Sequence, residues 1–146
     1  MATERYWRCE GCGHEQWAGQ LFPSLLAVAE KKIQACGKCG KPRHLRLIFD
    51  HGLGVGKHPC KTLAAYYPRR KVEWTNGSAN VRFYPFLVIL RSEKEHYQAA
   101  WLPYWHVVED AGTKKHKYGQ WAPFIGEREF KDLLRQAKED GYMVTA

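Results

Sequence analysis

The chain has 146 residues, of which 45% are hydrophobic and 14% aromatic, so it can build a folded core and is not a disordered chain. Its 23 Lys and Arg against 15 Asp and Glu give a formal net charge of +8, which favours an anionic partner. No apolar run reaches membrane-spanning length, and the first residues lack an export pattern, so we expect a soluble, intracellular (cytoplasmic) protein with no membrane partner.

The most specific pattern is a pair of Cys-x-x-Cys motifs near the beginning of the chain. Their cysteines are Cys9, Cys12, Cys36 and Cys39, and a glycine follows each motif, Gly13 and Gly40. Two intervening residues let both sulfurs of a motif turn onto one metal, and four thiolates complete a tetrahedral Zn²⁺ site. The pattern predicts structural zinc. Two disulfides or a dithiol redox pair are the alternatives, which the missing export signal and the missing βαβ context disfavour.

Each motif with its glycine resembles the knuckle of zinc-ribbon and treble-clef zinc fingers. The resemblance covers about the first 47 residues. It implies one metal clasped between two knuckles, in a module that usually contacts nucleic acid or another protein. It implies no catalytic activity.

A short helix is predicted between the knuckles, which is a departure from a plain ribbon. Pro23 and Ser24 precede the apolar residues 25–29 and read as a capped helix start, and Leu26, Ala29 and Ile33 share one face at helical spacing. After the second knuckle, residues 44–49 alternate in polarity and predict a strand.

A loop is predicted over residues 51–59, which contain three glycines and a proline. It is not a phosphate-binding loop of a nucleotide hydrolase, because Lys57 is followed by His58 and not by Ser or Thr. We therefore divide the chain into a zinc-ribbon-like module (1–50), a basic glycine-rich linker (51–71) and a sheet with a C-terminal helix (72–146).

The positive charge is concentrated in one segment. From Lys31 to Lys71 there are eleven bases and one acid, a net charge of +10, whereas the rest of the chain has a net charge of −2. Clustered cations release condensed counterions when they meet a phosphate backbone, so nucleic acid is the predicted partner, and a solvated basic face is the alternative. The candidate phosphate contacts are Lys38, Lys41, Arg43, Arg46, Lys57, Arg69, Arg70 and Lys71.

An antiparallel sheet and a helix are predicted after the basic segment. Strands over 72–74 and 81–84 flank the turn at Asn76-Gly77, and further strands cover 86–90, 97–102 and 104–108. The helix lies within 126–140, is stopped by Gly141, and is predicted to pack on the sheet through Phe130, Leu133, Leu134 and Ala137. The fold class is α+β.

Aromatic residues are frequent in the predicted strands. Neighbours such as Tyr104 and Trp105 point to opposite faces, so one can fill the core while the other is exposed. Exposed rings beside Lys and Arg suit a binder of unpaired bases, although ordinary core packing is the alternative for each ring.

The sequence predicts a nucleic-acid-binding protein that depends on structural zinc, with two alternatives. A metal-dependent nuclease or another nucleic-acid-modifying enzyme would use Asp50, His51, Glu93 or Glu95. Asp50-His51 resembles the first element of the His-Asn-His nucleases, but no Asn and His follow it at short spacing. The second alternative is an adaptor that binds proteins. Cys60, the fifth cysteine, is predicted to be an inert thiol.

Overall fold

The computed structural model describes residues 5–42, 44–51, 58–94, 98–119 and 125–142, with the backbone alone at 50, 51 and 58. The described residues form ten strands and two helices, an α+β fold. The strands are β1 (Arg5–Cys9), β2 (Glu15–Trp17), β3 (Leu45–His51), β4 (His58–Tyr66), β5 (Val72–Asn76), β6 (Ala79–Pro85), β7 (Leu87–Ser92), β8 (Gln98–Trp101), β9 (Tyr104–Asp110) and β10 (Thr113–Tyr118). The helices are α1 (Leu21–Glu30) and α2 (Glu127–Glu139).

Two sheets organise the strands. The first has the order β2-β1-β3-β4-β7-β8, and the second has the order β10-β9-β6-β5 with antiparallel neighbours throughout. The chain forms two compact units, the first from Met1–Ala65 with Ile89–Ala100 and the second from Tyr66–Val88 with Trp101–Ala146.

The predicted division of the chain differs from these units in two segments. Residues 89–100 were predicted as part of the C-terminal sheet, but they belong to the first unit, and β7 and β8 lie in the six-stranded sheet. Residues 51–71 were assigned to a linker, but β4 occupies His58–Tyr66 and lies inside the six-stranded sheet. Cys60, Thr62 and Ala65 are buried there. Basic and glycine-rich neighbours concealed a strand whose own side chains are mostly small. The predicted loop residues 52–57 lie outside the described residues.

Strand β3 lies in the core of the first unit. Its adjacent residues Leu47 and Ile48 are both almost fully buried, so both faces of the strand are covered. Strands β1 and β4 pair with it on either side. This central strand carries the chain directly away from the second Cys-x-x-Cys motif.

Helix α1 starts earlier than the sequence predicts. It begins at Leu21 without a side-chain cap, and the Ser24 hydroxyl donates to the carbonyls of Gln20 (2.9 Å) and Ala18 (3.1 Å). Its buried face carries Phe22 and Leu25, and the predicted face of Leu26, Ala29 and Ile33 is only half-buried, with Ile33 beyond the helix end. The helix ends at Lys31, whose φ of 57° is left-handed.

Helix α2 confirms the predicted C-terminal helix. Leu133 and Ala137 are fully buried, and the helix is followed by Gly141 with a φ of 88°. Its side chains bond the segment after β4: Gln136 Nε2 donates to the Tyr67 carbonyl at 3.0 Å, and Asp132 accepts from the Arg69 amide at 2.8 Å. Neither helix of the described residues is long and apolar enough to cross a membrane.

Candidate metal centre and basic surfaces

The four cysteines of the two motifs converge on one point. Their sulfur atoms all lie within 4.8 Å of one another, with Cys9 Sγ 3.7 Å from Cys39 Sγ and Cys12 Sγ 3.6 Å from Cys36 Sγ. Four sulfurs bound to zinc at ~2.3 Å in a tetrahedron are about 3.8 Å apart. A disulfide would bring two sulfurs to ~2.05 Å, so the spacing fits a shared metal and not two disulfides.

Both knuckles have the same backbone geometry. The Gly13 amide donates to the Cys9 carbonyl at 2.8 Å, and the Gly40 amide donates to the Cys36 carbonyl at 2.9 Å. Both glycines have a left-handed φ, 77° and 72°, which a side chain would strain. In each knuckle the first cysteine is buried and the second is exposed. The sequence prediction of two matching knuckles is therefore confirmed by the backbone.

Hydrophobic side chains surround the first cysteine of each knuckle. Cys9 ends β1, Cys36 follows α1, and both are buried against Leu45 at the start of β3, with Trp7 and Ile33 around them. The four cysteines thus bring together the β1–β2 hairpin, the segment after α1 and the start of the central strand β3.

Backbone amides lower the pKa of the first thiol in each knuckle. The amides of Cys39 and Lys38 outweigh desolvation and lower the pKa of Cys36 to about 6, and the Lys38 amide lies 3.4 Å from Cys36 Sγ. The Cys12 amide likewise lowers the pKa of Cys9. At Cys39 the Lys41 amide acts in the same direction, but desolvation and the neighbouring thiols outweigh it and raise the pKa to about 11. Metal ligation requires all four thiolates, so binding would release protons.

The four cysteines are therefore positioned to hold a metal ion, and their all-sulfur donor set fits Zn²⁺. No other group of three or more potential metal ligands is present among the side chains that the structure describes. Comparisons with protein-family models, with curated proteins and with solved structures found no match.

Two of the predicted phosphate contacts lie on the second knuckle. Lys38 and Lys41 are exposed, and neither forms an ion pair with a residue that the structure describes. The Lys41 side chain extends towards Gly11 of the first knuckle, where a Cβ would lie 3.5 Å from Lys41 Cδ. These two cations are therefore free to meet a ligand beside the metal site.

Arg46 has an acidic neighbour. Its Nε lies 3.3 Å from Glu10 Oε1, and Lys61 contacts the same carboxylate. Desolvation alone would raise the pKa of Glu10, but these two cations outweigh it and lower that pKa. Part of the predicted positive surface is thus neutralised. Arg43 and Lys57, also predicted as contacts, lie outside the described residues.

The remaining predicted contacts, Arg69, Arg70 and Lys71, are exposed residues of the second unit. Arg69 Nη2 lies 3.4 Å from Glu139 Oε2, so it is partly neutralised. The contiguous basic segment of the sequence is therefore divided between the two units.

The structure adds arginines that the sequence analysis did not select. Arg128 and Arg135 of α2 line an open groove of about 350 Å³ with Arg69 and Arg70. Glu129 and Asp132 line it as well. The spacing of seven residues between Arg128 and Arg135 was a usable signal, because it places both on one helix face. The prediction of α2 used only the spacing of its apolar residues and left this basic face out.

The acidic residues considered for catalysis do not form a described site. Glu93 Oε1 accepts a 2.6 Å hydrogen bond from Arg8 Nη1, which also raises the pKa of Arg8. The side chains of Asp50 and His51, and all of Glu95, lie outside the described residues.

A second groove lies in the first unit, close to the metal centre. It has a volume of about 250 Å³, and its lining includes Trp7, Gln16, Trp17, Lys32 and Ile33. Trp17 is 67% exposed, an unusual exposure for a large apolar side chain. The groove therefore combines an accessible ring with a cation.

Proposed function

We propose that this protein is a nucleic-acid-binding protein whose first unit is held together by a structural zinc ion. Cys9, Cys12, Cys36 and Cys39 would hold the metal. Four protein ligands leave no open coordination position for a substrate, so the metal's role is to fix the knuckles. When bound, it supplies folding energy to a segment that has few buried side chains of its own.

The observation that carries the proposal is the state of Lys38 and Lys41. Both are exposed, both lack an ion-pair partner among the described residues, and both belong to a knuckle whose backbone the four cysteines restrain. They lie within the segment of net charge +10. A rigid turn fixes the backbone of both lysines in advance, so only their side chains must be ordered when they meet phosphates.

The groove between α2 and the segment after β4 supports the proposal with a second cationic surface. Arg70 and Arg128 line it without an ion-pair partner among the described residues. Guanidinium groups match phosphate oxygens in two-point hydrogen bonds. Arg69 and Lys71, beside them, remain proposed contacts.

The test is a salt series of binding to short single- and double-stranded DNA and RNA, with the zinc-loaded protein and fluorescence anisotropy as the readout. Each lost phosphate contact flattens the dependence of log affinity on log salt by about 0.7–0.9. Lys38→Gln and Lys41→Gln are expected to show that loss. Lys114→Gln, an exposed lysine of β10, is the matched control and is expected to bind like the wild type.

Two results would contradict the proposal. Unchanged salt slopes for Lys38→Gln and Lys41→Gln would show that these lysines do not contact phosphates. Absence of salt-dependent binding by the wild type would show that the protein does not bind nucleic acid. Adding Mg²⁺ or Mn²⁺ and checking the lengths of the strands tests the nuclease alternative in the same experiment, because shortened strands would reveal cleavage.

The groove beside the metal centre favours an adaptor as the second candidate function. An exposed Trp17 at the edge of a concave, partly apolar surface is what a protein partner would contact. Binding of a protein partner that persists at high salt and is lost in Trp17→Ala would favour the adaptor.

A further inference from the structure

One face of the second sheet carries a continuous set of rings that ends in lysines. Direct cross-strand pairing creates two parallel rows over β5, β6, β9 and β10. Directly paired residues point to the same side of a sheet, and so do residues two apart on one strand, so both rows share one face. This aromatic face consists of Trp74, Val81, Val108 and Lys115 in one row and Val72, Phe83, His106 and Lys117 in the other.

The rings of the aromatic face are in mutual contact. Phe83 stacks on His106, with ring centroids 5.3 Å apart and ring planes 28° apart. The Trp74 ring packs edge-to-face with His106, with centroids 5.7 Å apart. Tyr104 supports both, 5.6 Å from Phe83 and 5.7 Å from His106. These contacts hold the rings in fixed orientations before any ligand arrives.

The two faces of this sheet differ in what covers them. On the opposite face, Trp105 is only 4% exposed and contacts Phe86, and Tyr84 contacts Tyr67, so rings of the same unit pack there. On the aromatic face, Trp74 is 44% exposed, and Phe83 and His106 are half-buried. Each face therefore has one well-exposed ring, Trp74 on the aromatic face and Tyr118 on the opposite face, but only Trp74 lies in contact with further partly accessible rings.

The charges of the aromatic face are complementary to an anionic ligand. Lys115 and Lys117 are exposed, and no ion pair engages either one among the described residues. Asp110, on the same face at the end of β9, accepts a 2.9 Å hydrogen bond from Ser78 Oγ. Strand β10, which carries both lysines, lies three strands away from β5, which carries Trp74; this is about 14 Å at the usual strand spacing. A ligand with flat bases and a flanking anionic backbone can contact both ends of a row.

We propose that the aromatic face binds single-stranded nucleic acid, with a base stacked on Trp74 beside His106 and with phosphates at Lys115 and Lys117. The proposal rests on the proposed function and adds its ligand class and a second contact surface. Bases in a duplex are stacked on each other and cannot present their flat faces, so this surface selects unpaired strands.

The test compares matched variants of the zinc-loaded full chain in binding short single-stranded and double-stranded DNA and RNA. Trp74→Ala is expected to lower the single-strand affinity roughly 5- to 150-fold, the range that corresponds to one lost stacking contact. Trp74→Phe is expected to restore most of it, because a ring remains. Lys115→Gln and Lys117→Gln are each expected to flatten the single-strand salt slope by about 0.7.

The controls lie on the other face of the same sheet. Tyr118 is 53% exposed and pairs with Trp105, and Lys114 pairs with Glu109, so both side chains point away from the aromatic face. Tyr118→Ala and Lys114→Gln are expected to bind like the wild type. Circular dichroism with thermal melting shows whether Trp74→Ala is folded, and Trp74→Phe provides the same comparison without removing the ring.

The outcomes separate this proposal from the proposed function. Wild-type single-strand affinity in Trp74→Ala, Lys115→Gln and Lys117→Gln, with a loss in Lys38→Gln, would overturn the aromatic face and leave the proposed function intact. Equal losses for single and double strands in Trp74→Ala would also overturn it. No binding of any strand by the wild type would overturn both.

Discussion

Cys12 Sγ and Cys36 Sγ lie 3.6 Å apart, although the two residues are 24 positions apart in the chain. The contact joins the two knuckles across the hairpin β1–β2 and helix α1. Without a metal, four polar sulfurs at this spacing would have little reason to stay together, because thiol hydrogen bonds are weak. We therefore expect the folding of the first unit to depend on a metal held by the four cysteines.

We expect Cys36→Ser to lose bound zinc and to unfold the first unit. Zinc contributes about 10–16 kcal/mol to the folding of small structural sites, which is as large as the usual total stability of a domain, about 5–15 kcal/mol. Metal content by mass spectrometry and amide-resolved NMR would measure both effects. Cys60→Ser is the control, since Cys60 is buried in β4 outside the metal cluster, and it is expected to retain zinc. Stoichiometric zinc in Cys36→Ser would contradict the assignment.

Glu10→Gln is expected to raise the affinity for nucleic acid. The substitution removes the carboxylate that contacts Arg46 and Lys61, and it leaves both cations available for phosphates. Because partly exposed ion pairs contribute only about 0–1 kcal/mol, the fold is expected to persist. Anisotropy titrations should show a tighter complex and a steeper salt dependence.

Glu15→Gln is the matched control for Glu10→Gln. It changes the net charge by the same amount, but it removes only one of the two ion pairs of Arg8. Glu93 still pairs with Arg8, so no cation is left without a partner. An equal gain in affinity for both variants would show that net charge alone is responsible and that Arg46 and Lys61 make no specific contact.

His106 is expected to make the stability of the second unit pH-dependent. Burial among Trp74, Phe83 and Tyr104 lowers its pKa below the ordinary 6.5. The unfolded chain therefore binds a proton at a higher pH than the folded chain does. The contribution of neutral His106 to the free energy of unfolding is fully present above about pH 6.5. It decreases as the pH falls from there towards the lower folded-state pKa.

Urea unfolding at about pH 7.5 and about pH 5.5 measures this contribution. His106→Phe keeps a ring of similar size and has no proton to bind, so its stability should fall less between the two values than that of the wild type. An identical fall for both proteins would contradict the prediction.

Leu133→Ala is expected to lower the free energy of unfolding by about 2–5 kcal/mol, because Leu133 is fully buried and its truncation leaves a cavity. Leu134→Ala, next to it on the half-buried side of α2, is expected to cost clearly less. Denaturant midpoints for the two variants measure the difference. Equal costs would mean that α2 is docked through a wider face than Leu133 and Ala137 define.

The local pattern of the chain determined the four-cysteine cluster, the hairpin at Asn76-Gly77 and the final helix. Each depends on neighbours in sequence: a two-residue spacing between sulfurs, a turn dipeptide or a helical repeat. For the same reason the alternation over residues 44–49 was enough to predict β3. Strand β4 was not predictable in this way, because Cys60, Thr62 and Ala65 become a buried strand only when β3 and other strands of the sheet enclose them.

Only the tertiary structure decided which cations lack an acidic neighbour and which rings lie on one face of a sheet. The sequence places Arg46 in the same basic run as Lys41, but Glu10 neutralises one and leaves the other free. It likewise separates Trp74, His106 and Lys117 by many residues, whereas the register of four strands brings them to one face. Both the pairing of charges and the face on which a side chain lies depend on contacts between segments that are distant in sequence. The packing of the whole unit determines these contacts.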